Sequence, residues 1–344
     1  MSLPPSEIPL GAMRFNSDSQ KLEYWNGSAW FQIHTFSPNL DGGARGLFQG
    51  AGQPSNSNTV DYITISTAGD AIDFGDLVST KQWNTAGYAS NTRAVNPGGG
   101  NPSVTDNIDF ATISSTGNYA DFGNLVDSRM AAAGSGNQTR GLICGGNPQT
   151  DATKTNGAEF VTIASTGNSV DFGDIATATA SIGGNIQSPT RSFFFGGYTP
   201  SNVNTIEFFT TATLGNASDF GDLTTVAGDV PMGCSNSTRG LRAGGDAPAD
   251  TDIIDFITMA TLGNATNFCD LTVITYGAAG SSNQVRGVIG GGGNPSGDRN
   301  EINLITIASA GDASDFGDLT YSGQTNGASR TFSGCSDVNG GIGD

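Results

Sequence analysis

A chain of 344 residues is long enough for two average domains. Its 14 basic and 32 acidic residues give a formal net charge of −18, which argues against electrostatic binding to nucleic acid or to an anionic membrane. Only 13% of the residues are charged and 51 are glycine, a composition suited to a durable, exposed β protein. No apolar run approaches the length of a membrane span.

The N-terminal segment, residues 1–36, stands apart from the rest of the chain. "MSLPPSEIPLGAMRF" lacks a basic region followed by an apolar stretch, so no secretory signal is expected. "KLEYWNGSAWFQI" predicts two strands joined at Asn26-Gly27, since Asn-Gly between alternating apolar runs is a strong hairpin signal. His34, the one histidine, follows this hairpin. No nucleophile motif accompanies it, so a surface or packing role is expected rather than a triad.

Residues 37–344 are a repeat. An aromatic phrase recurs as "AIDFGDL", "YADFGNL", "VDFGDI", "SDFGDL", "TNFCDL" and "SDFGDL", with its phenylalanine at Phe74, Phe122, Phe172, Phe220, Phe268 and Phe316. The separations are 48, 50, 48, 48 and 48 residues. Asp-Phe-Gly also occurs in protein kinases, where it holds magnesium. A catalytic loop occurs once, and the other kinase motifs are missing, so six copies mark architecture. Twelve residues before each Phe stands a large apolar residue, and five before it stands a glycine followed by Asn or Asp. The pattern predicts strand, tight turn, strand.

Between these hairpins lies a second phrase, as in "TRGLICGG" and "TRSFFFGG", with arginines at Arg45, Arg93, Arg140, Arg191, Arg239, Arg286 and Arg330. A small-residue strand precedes most of them. One period therefore predicts four short strands, and no segment has helical periodicity. Four strands per period of this length describe one blade of a β-propeller.

The order of arginine, Gly-Gly pair, aromatic strand, turn and second aromatic resembles a Kelch repeat, with Phe where Kelch blades usually carry Trp. The pairs Gly145–Gly146, Gly196–Gly197 and Gly244–Gly245 carry the match. The wording of the repeats is also similar to that of virion structural proteins of marine tailed bacteriophages, over roughly residues 37–337. "GAMRFNSDSQKLEYWNGSAW" looks like segments of phage tail and fibre proteins. The resemblance implies an all-β, Kelch-like propeller.

Six hairpins and seven arginine strands predict seven blades, the last one completed by pairing the C-terminal strands with the N-terminal hairpin. The alternative is six blades with that hairpin as a separate docking element.

The repeat arginines are expected to pair with aspartates or with carbonyls of neighbouring strands; the alternative is an anion-binding channel. Cys144, Cys234, Cys269 and Cys335 stand singly, without zinc spacing, and are expected to be buried thiols made in a reducing cytoplasm. Carboxylate pairs such as Asp73/Asp76 and Asp171/Asp174 recur in nearly every period, which favours structural roles over glycoside hydrolysis. Their spacing matches no calcium motif, and no metal site or cofactor is expected, although the supply of oxygen ligands leaves a calcium role open as an alternative. The polar segments after the Gly-Gly pairs vary between periods and include Tyr198; repeats place such segments on one face, often the binding face.

The resulting expectation is a non-enzymatic virion structural protein, on the tail or fibre exterior. It would contact other virion proteins, occur in several copies or as a homo-oligomer, and adhere to a host-surface glycan. Two readings stay open beside it: a capsid decoration protein, and a propeller enzyme that degrades polysaccharide.

Overall fold

The computed structural model describes residues 8–16, 21–32, 44–51, 57–81, 83, 87–100, 103–148, 153–228, 231–246, 251–320 and 333–338. His34 and Arg330 lie outside them. The chain divides into two compact units, Met1–Leu40 and Asp41–Asp344.

In the first unit, Met13–Asn16, Lys21–Trp25 and Trp30–Gln32 form a three-stranded antiparallel sheet. The Asn26 carboxamide oxygen accepts the amides of Ser28 and Ala29, which fixes the expected turn. The strand Met13–Asn16 adds to the hairpin read from the sequence. On one face Arg14 pairs with Glu23 at 2.8 Å and its guanidinium stacks on Trp30. The register places Met13, Phe15, Leu22, Tyr24 and Phe31 together on the other face, and all five are exposed.

The second unit contains six four-stranded antiparallel sheets, numbered 1 to 6 in the chain order of their outer strands, from Ile72–Lys81 in sheet 1 to Ser314–Asp318 in sheet 6. Sheet 3 is representative, with Ala133–Gly136, Arg140–Cys144, Gly157–Thr162 and Val170–Asp174 in spatial order. The six-fold phrase is its outer strand. Asp171 pairs with Glu159 and Gly173 with Ala158, so Phe172 is the extra residue of a β-bulge. The bulge turns Phe172 into the core, edge-on to Phe160 at 5.6 Å. Gly173 takes φ 148°, and a Cβ there would collide with the carbonyl of Gly215 in the next sheet. Phe172 and Gly173 are thus packing requirements in this sheet, while Asp171 is exposed; in the fifth copy Cys269 stands at the glycine position without a positive φ.

Successive sheets are joined by three repeating devices. The amide of Gly117 donates to Phe74 O, and the side chain of Asn118 accepts the Asp76 amide. An acid or amide thirteen residues before each Phe, buried in all sheets but the one holding Glu207, reaches the preceding sheet: Asp61 accepts Thr320, Glu159 accepts Val126, and Asn303 accepts Thr272. Each described repeat arginine crosses to the following sheet, as Arg93 Nη1 does to Ile163 O at 3.1 Å. Five of them also stack on an aromatic ring of their own sheet. Their guanidinium groups thus reach carbonyls of the neighbouring sheet and rings of their own.

The succession returns to its start. Arg286 of sheet 6 donates to Ile65 O and Ser66 O of sheet 1, and Gly69 N donates to Phe316 O. The innermost strands show the same return. A Cβ built on Gly134 would lie within 2.9 Å of Gly87 O, and so on through Gly184, Gly233, Gly280 and Gly334 back to Gly87. The small-residue strand exists because six backbones converge. Asn185, at φ 61°, donates its side-chain amide to Gly334 O at 2.8 Å and to Gly280 O at 3.2 Å.

The expectation of seven blades needs correction. Ser333–Ser336 is the innermost strand of sheet 1, paired with Arg45–Ala51, and the N-terminal sheet pairs only within itself among the described residues. "SGCSD" corresponds to "MGCSN" at 232–236, not to an arginine strand. Its turn residue, Asp337, meets Arg45 in space instead of along the chain.

Candidate ligand-binding cavity

The Gly-Gly pairs build the candidate site. Both glycines of each pair are left-handed, as at Gly145 (67°) and Gly146 (94°), so the chain turns sharply out of the second strand. The second glycine is anchored to the next repeat, with Gly146 N donating to Thr179 O at 2.8 Å and Gly197 N to Ala227 O at 2.6 Å. The residue that follows then bridges to the segment leading into its own sheet's innermost strand: Asn147 to Met130, Tyr198 to Ala180, Asp246 to Gly228.

The position after the Gly-Gly pair is occupied in sheets 2 to 6 by Gly100, Asn147, Tyr198, Asp246 and Gly293. One structural position thus carries five choices drawn from four residue types. The three that have side chains line a cavity of about 350 Å³, together with Lys154 and Asn202. Lys154 Nζ sits 4.5 Å from the centroid of Tyr198, whose side chain remains exposed. Asn147 is 6% exposed, and its carboxamide oxygen has no hydrogen-bond partner among the described residues.

A second set of equivalent residues forms the wall. Trp83, Ala131 and Ser181, nine residues after their respective phenylalanines, all line the cavity and all have left-handed backbones at φ 50–53°. Ala131 N donates to Trp83 O and Ser181 N to Ala131 O, both at 2.9 Å, which ties three repeats together at the cavity. The left-handed region costs non-glycine residues on the order of 1 kcal/mol each, and such strain gathers at functional surfaces. Gly277 holds the equivalent position in sheet 6 without that cost.

The other chemistry-bearing residues lie in packed interiors. Lys81 is fully buried, 3.1 Å from Asp109; burial pushes the lysine down and the carboxyl up, each opposed by the other's charge. Arg129 pairs with Glu159 in sheet 3 and Arg242 with Asp255 in sheet 5; the two acids are equivalent, but the arginines come from different places in the repeat. All four cysteines are buried free thiols; burial pushes Cys269 up to about 11 and Cys234 up to about 12. Among the described residues no group of three or more His, Cys, Asp or Glu side chains could hold a metal ion.

Of the residues singled out in the sequence, Tyr198 lies at the cavity, while the six phenylalanines and the described arginines hold sheets together. Asn147 and Lys154 belong to one of the variable polar segments, but nothing in the sequence distinguished them within it. Trp83 and the left-handed positions carried no sequence signal, because Ala, Ser and Trp do not announce a positive φ. No protein-family model matches the chain, and no curated protein matches it.

Proposed function

We propose that the chain is a six-bladed, Kelch-like β-propeller that serves as a non-enzymatic structural protein on the exterior of a tailed-phage virion. The N-terminal sheet is its attachment element, and the variable segments after the Gly-Gly pairs are its contact surface for a host glycan. The observation that carries the propeller reading is the return of inter-sheet contacts from sheet 6 to sheet 1, at Arg286 and along the converging glycines. A repeat fold of this kind gives a stable platform whose segments vary without disturbing the core.

The virion assignment rests on the resemblance of the repeats and of the N-terminal segment. It is supported by the exposed apolar face of Met13, Phe15, Leu22, Tyr24 and Phe31, since clustered exposed apolar side chains mark surfaces that another protein covers. The non-enzymatic reading is supported by the repeat acids. Asp61, Glu159, Glu207 and Asp255 are each spent on amides of the preceding sheet.

Cryo-electron microscopy of the particle that carries this chain tests the proposal. Six-lobed discs at the tail tip or on fibres are expected. Discs at capsid lattice points would make it a decoration protein, and absence from the particle would overturn the virion assignment.

A further inference from the structure

The cavity beside Tyr198 has a chemistry that selects its occupant. Lys154 and Asp246 bring one charge of each sign, so the cavity carries no net charge in a chain of −18. Its polar groups are mixed: the Asn147 carboxamide oxygen accepts, Lys154 donates, and the Asn202 carboxamide does both. An anion would face the oxygens of Asp246 and Asn147, and a cation would face Lys154. Neutral hydroxyl groups donate and accept at once, and satisfy the whole set.

Two aromatic side chains, Trp83 and Tyr198, supply flat apolar surface in the same cavity. Such surface matches a ligand with one apolar face and a polar edge. The Asn147 oxygen adds a second, independent observation. A buried acceptor without a partner costs about 1–3 kcal/mol, and this one lies in the cavity wall, where a ligand donor would relieve it.

We infer that the cavity is a carbohydrate subsite that seats one neutral pyranose unit of a larger glycan, with the sugar's apolar face on the aromatic side chains and its hydroxyls on Asn147, Asn202, Lys154 and Asp246. The inference rests on the adhesion reading above and gives it an address. The volume of about 350 Å³ is enough for such a ring with its polar contacts. Adjoining sugars would extend across the neighbouring polar segments.

The test uses the full-length protein with neutral hexose and N-acetylhexosamine oligosaccharides, and with inorganic phosphate and galacturonate as charged controls, read by saturation-transfer NMR and calorimetry. A neutral oligosaccharide is expected to bind, and Tyr198→Ala and Asn147→Ala are each expected to weaken it at least tenfold. Asn147→Ala also separates function from structure. A ligand-facing acceptor predicts an unchanged or raised thermal midpoint with lost binding, whereas a structural one predicts a lowered midpoint. Asn202→Ala, at a partly exposed position, serves as a further folded variant with weakened binding.

Binding that survives both substitutions would leave adhesion standing and remove this cavity as its site. Preference for phosphate or galacturonate would overturn the neutral-sugar assignment. A protein present on the particle that binds none of the oligosaccharides would leave the virion role intact and overturn the inference.

Discussion

The Asp337 carboxylate accepts the backbone amide of Arg45 at 3.0 Å, across 292 residues of chain. Elsewhere the same contact is local. Asn137 accepts Arg140, Asn236 accepts Arg239 and Asn283 accepts Arg286, each three residues on, at the turn between the first and second strands. The contact also runs in reverse, from Asp337 N to Arg45 O at 3.2 Å. Sheet 1 therefore contains a turn whose two halves come from opposite ends of the repeat, and the covalent link of the other turns is replaced by hydrogen bonds.

This closure should be pH-sensitive. Burial, opposed by the Arg45 amide, pushes Asp337 from 3.8 up to about 6. Between those values the folded protein holds a proton that the unfolded chain has released, so stability falls as pH rises through the window. Asp337→Asn, which imitates the other turns, should remove that component. Urea midpoints at pH 4 and pH 7 should differ less in the variant, and the variant should be the more stable at pH 7 by about 1–2 kcal/mol. An identical pH slope in both proteins would show that Asp337 does not report on closure.

The converging glycines admit no side chain. In Gly184→Ala or Gly280→Ala the new methyl would fall on the carbonyl of Gly134 or Gly233. Backbone cannot swing away as a side chain can, so each substitution should cost about 3 kcal/mol or more, beyond the usual range for overpacking. Gly157→Ala is the control. It has no positive φ, and its nearest neighbour is the Thr155 hydroxyl at 3.4 Å. Its denaturation midpoint should stay close to wild type.

Lys81 and Asp109 form an ion pair with no access to water. Lys81→Met strands the carboxyl in the interior and should cost about 3–5 kcal/mol. Adding Asp109→Asn should restore much of the loss, because an uncharged amide is far cheaper to bury. A double-mutant cycle by urea denaturation measures this, and additive losses would show that the two groups do not compensate each other.

The repeat and its four strands were legible in the sequence because period and turn chemistry are local properties. The number of sheets was not. "SRTFSGCSD" carries Arg330 and so imitates the arginine phrase, yet Ser333–Ser336 plays the part of the small-residue strand. A search along the chain sees a turn only when both halves are consecutive, and Asp337 and Arg45 are not. The inter-sheet acids Asp61, Asp109, Glu159, Glu207 and Asp255, and the amide Asn303, each stand thirteen residues before a phenylalanine. The aspartates beside the phenylalanines recur more conspicuously, although in sheet 3 that aspartate is exposed. The cavity was beyond reach except at Tyr198, because it joins unlike residues of different repeats.

Hydrogen exchange of the full-length chain would show whether the six sheets form one succession closed by the C-terminal strand. In a closed succession, amides of Ser333–Ser336 and Arg45–Ala51 are protected to the same degree as those of Ala133–Gly136 and Arg140–Cys144, and both pairs exchange in a single opening event. Rapid exchange of Ser333–Ser336, with the other innermost strands still protected, would contradict closure and leave the succession open at sheet 1.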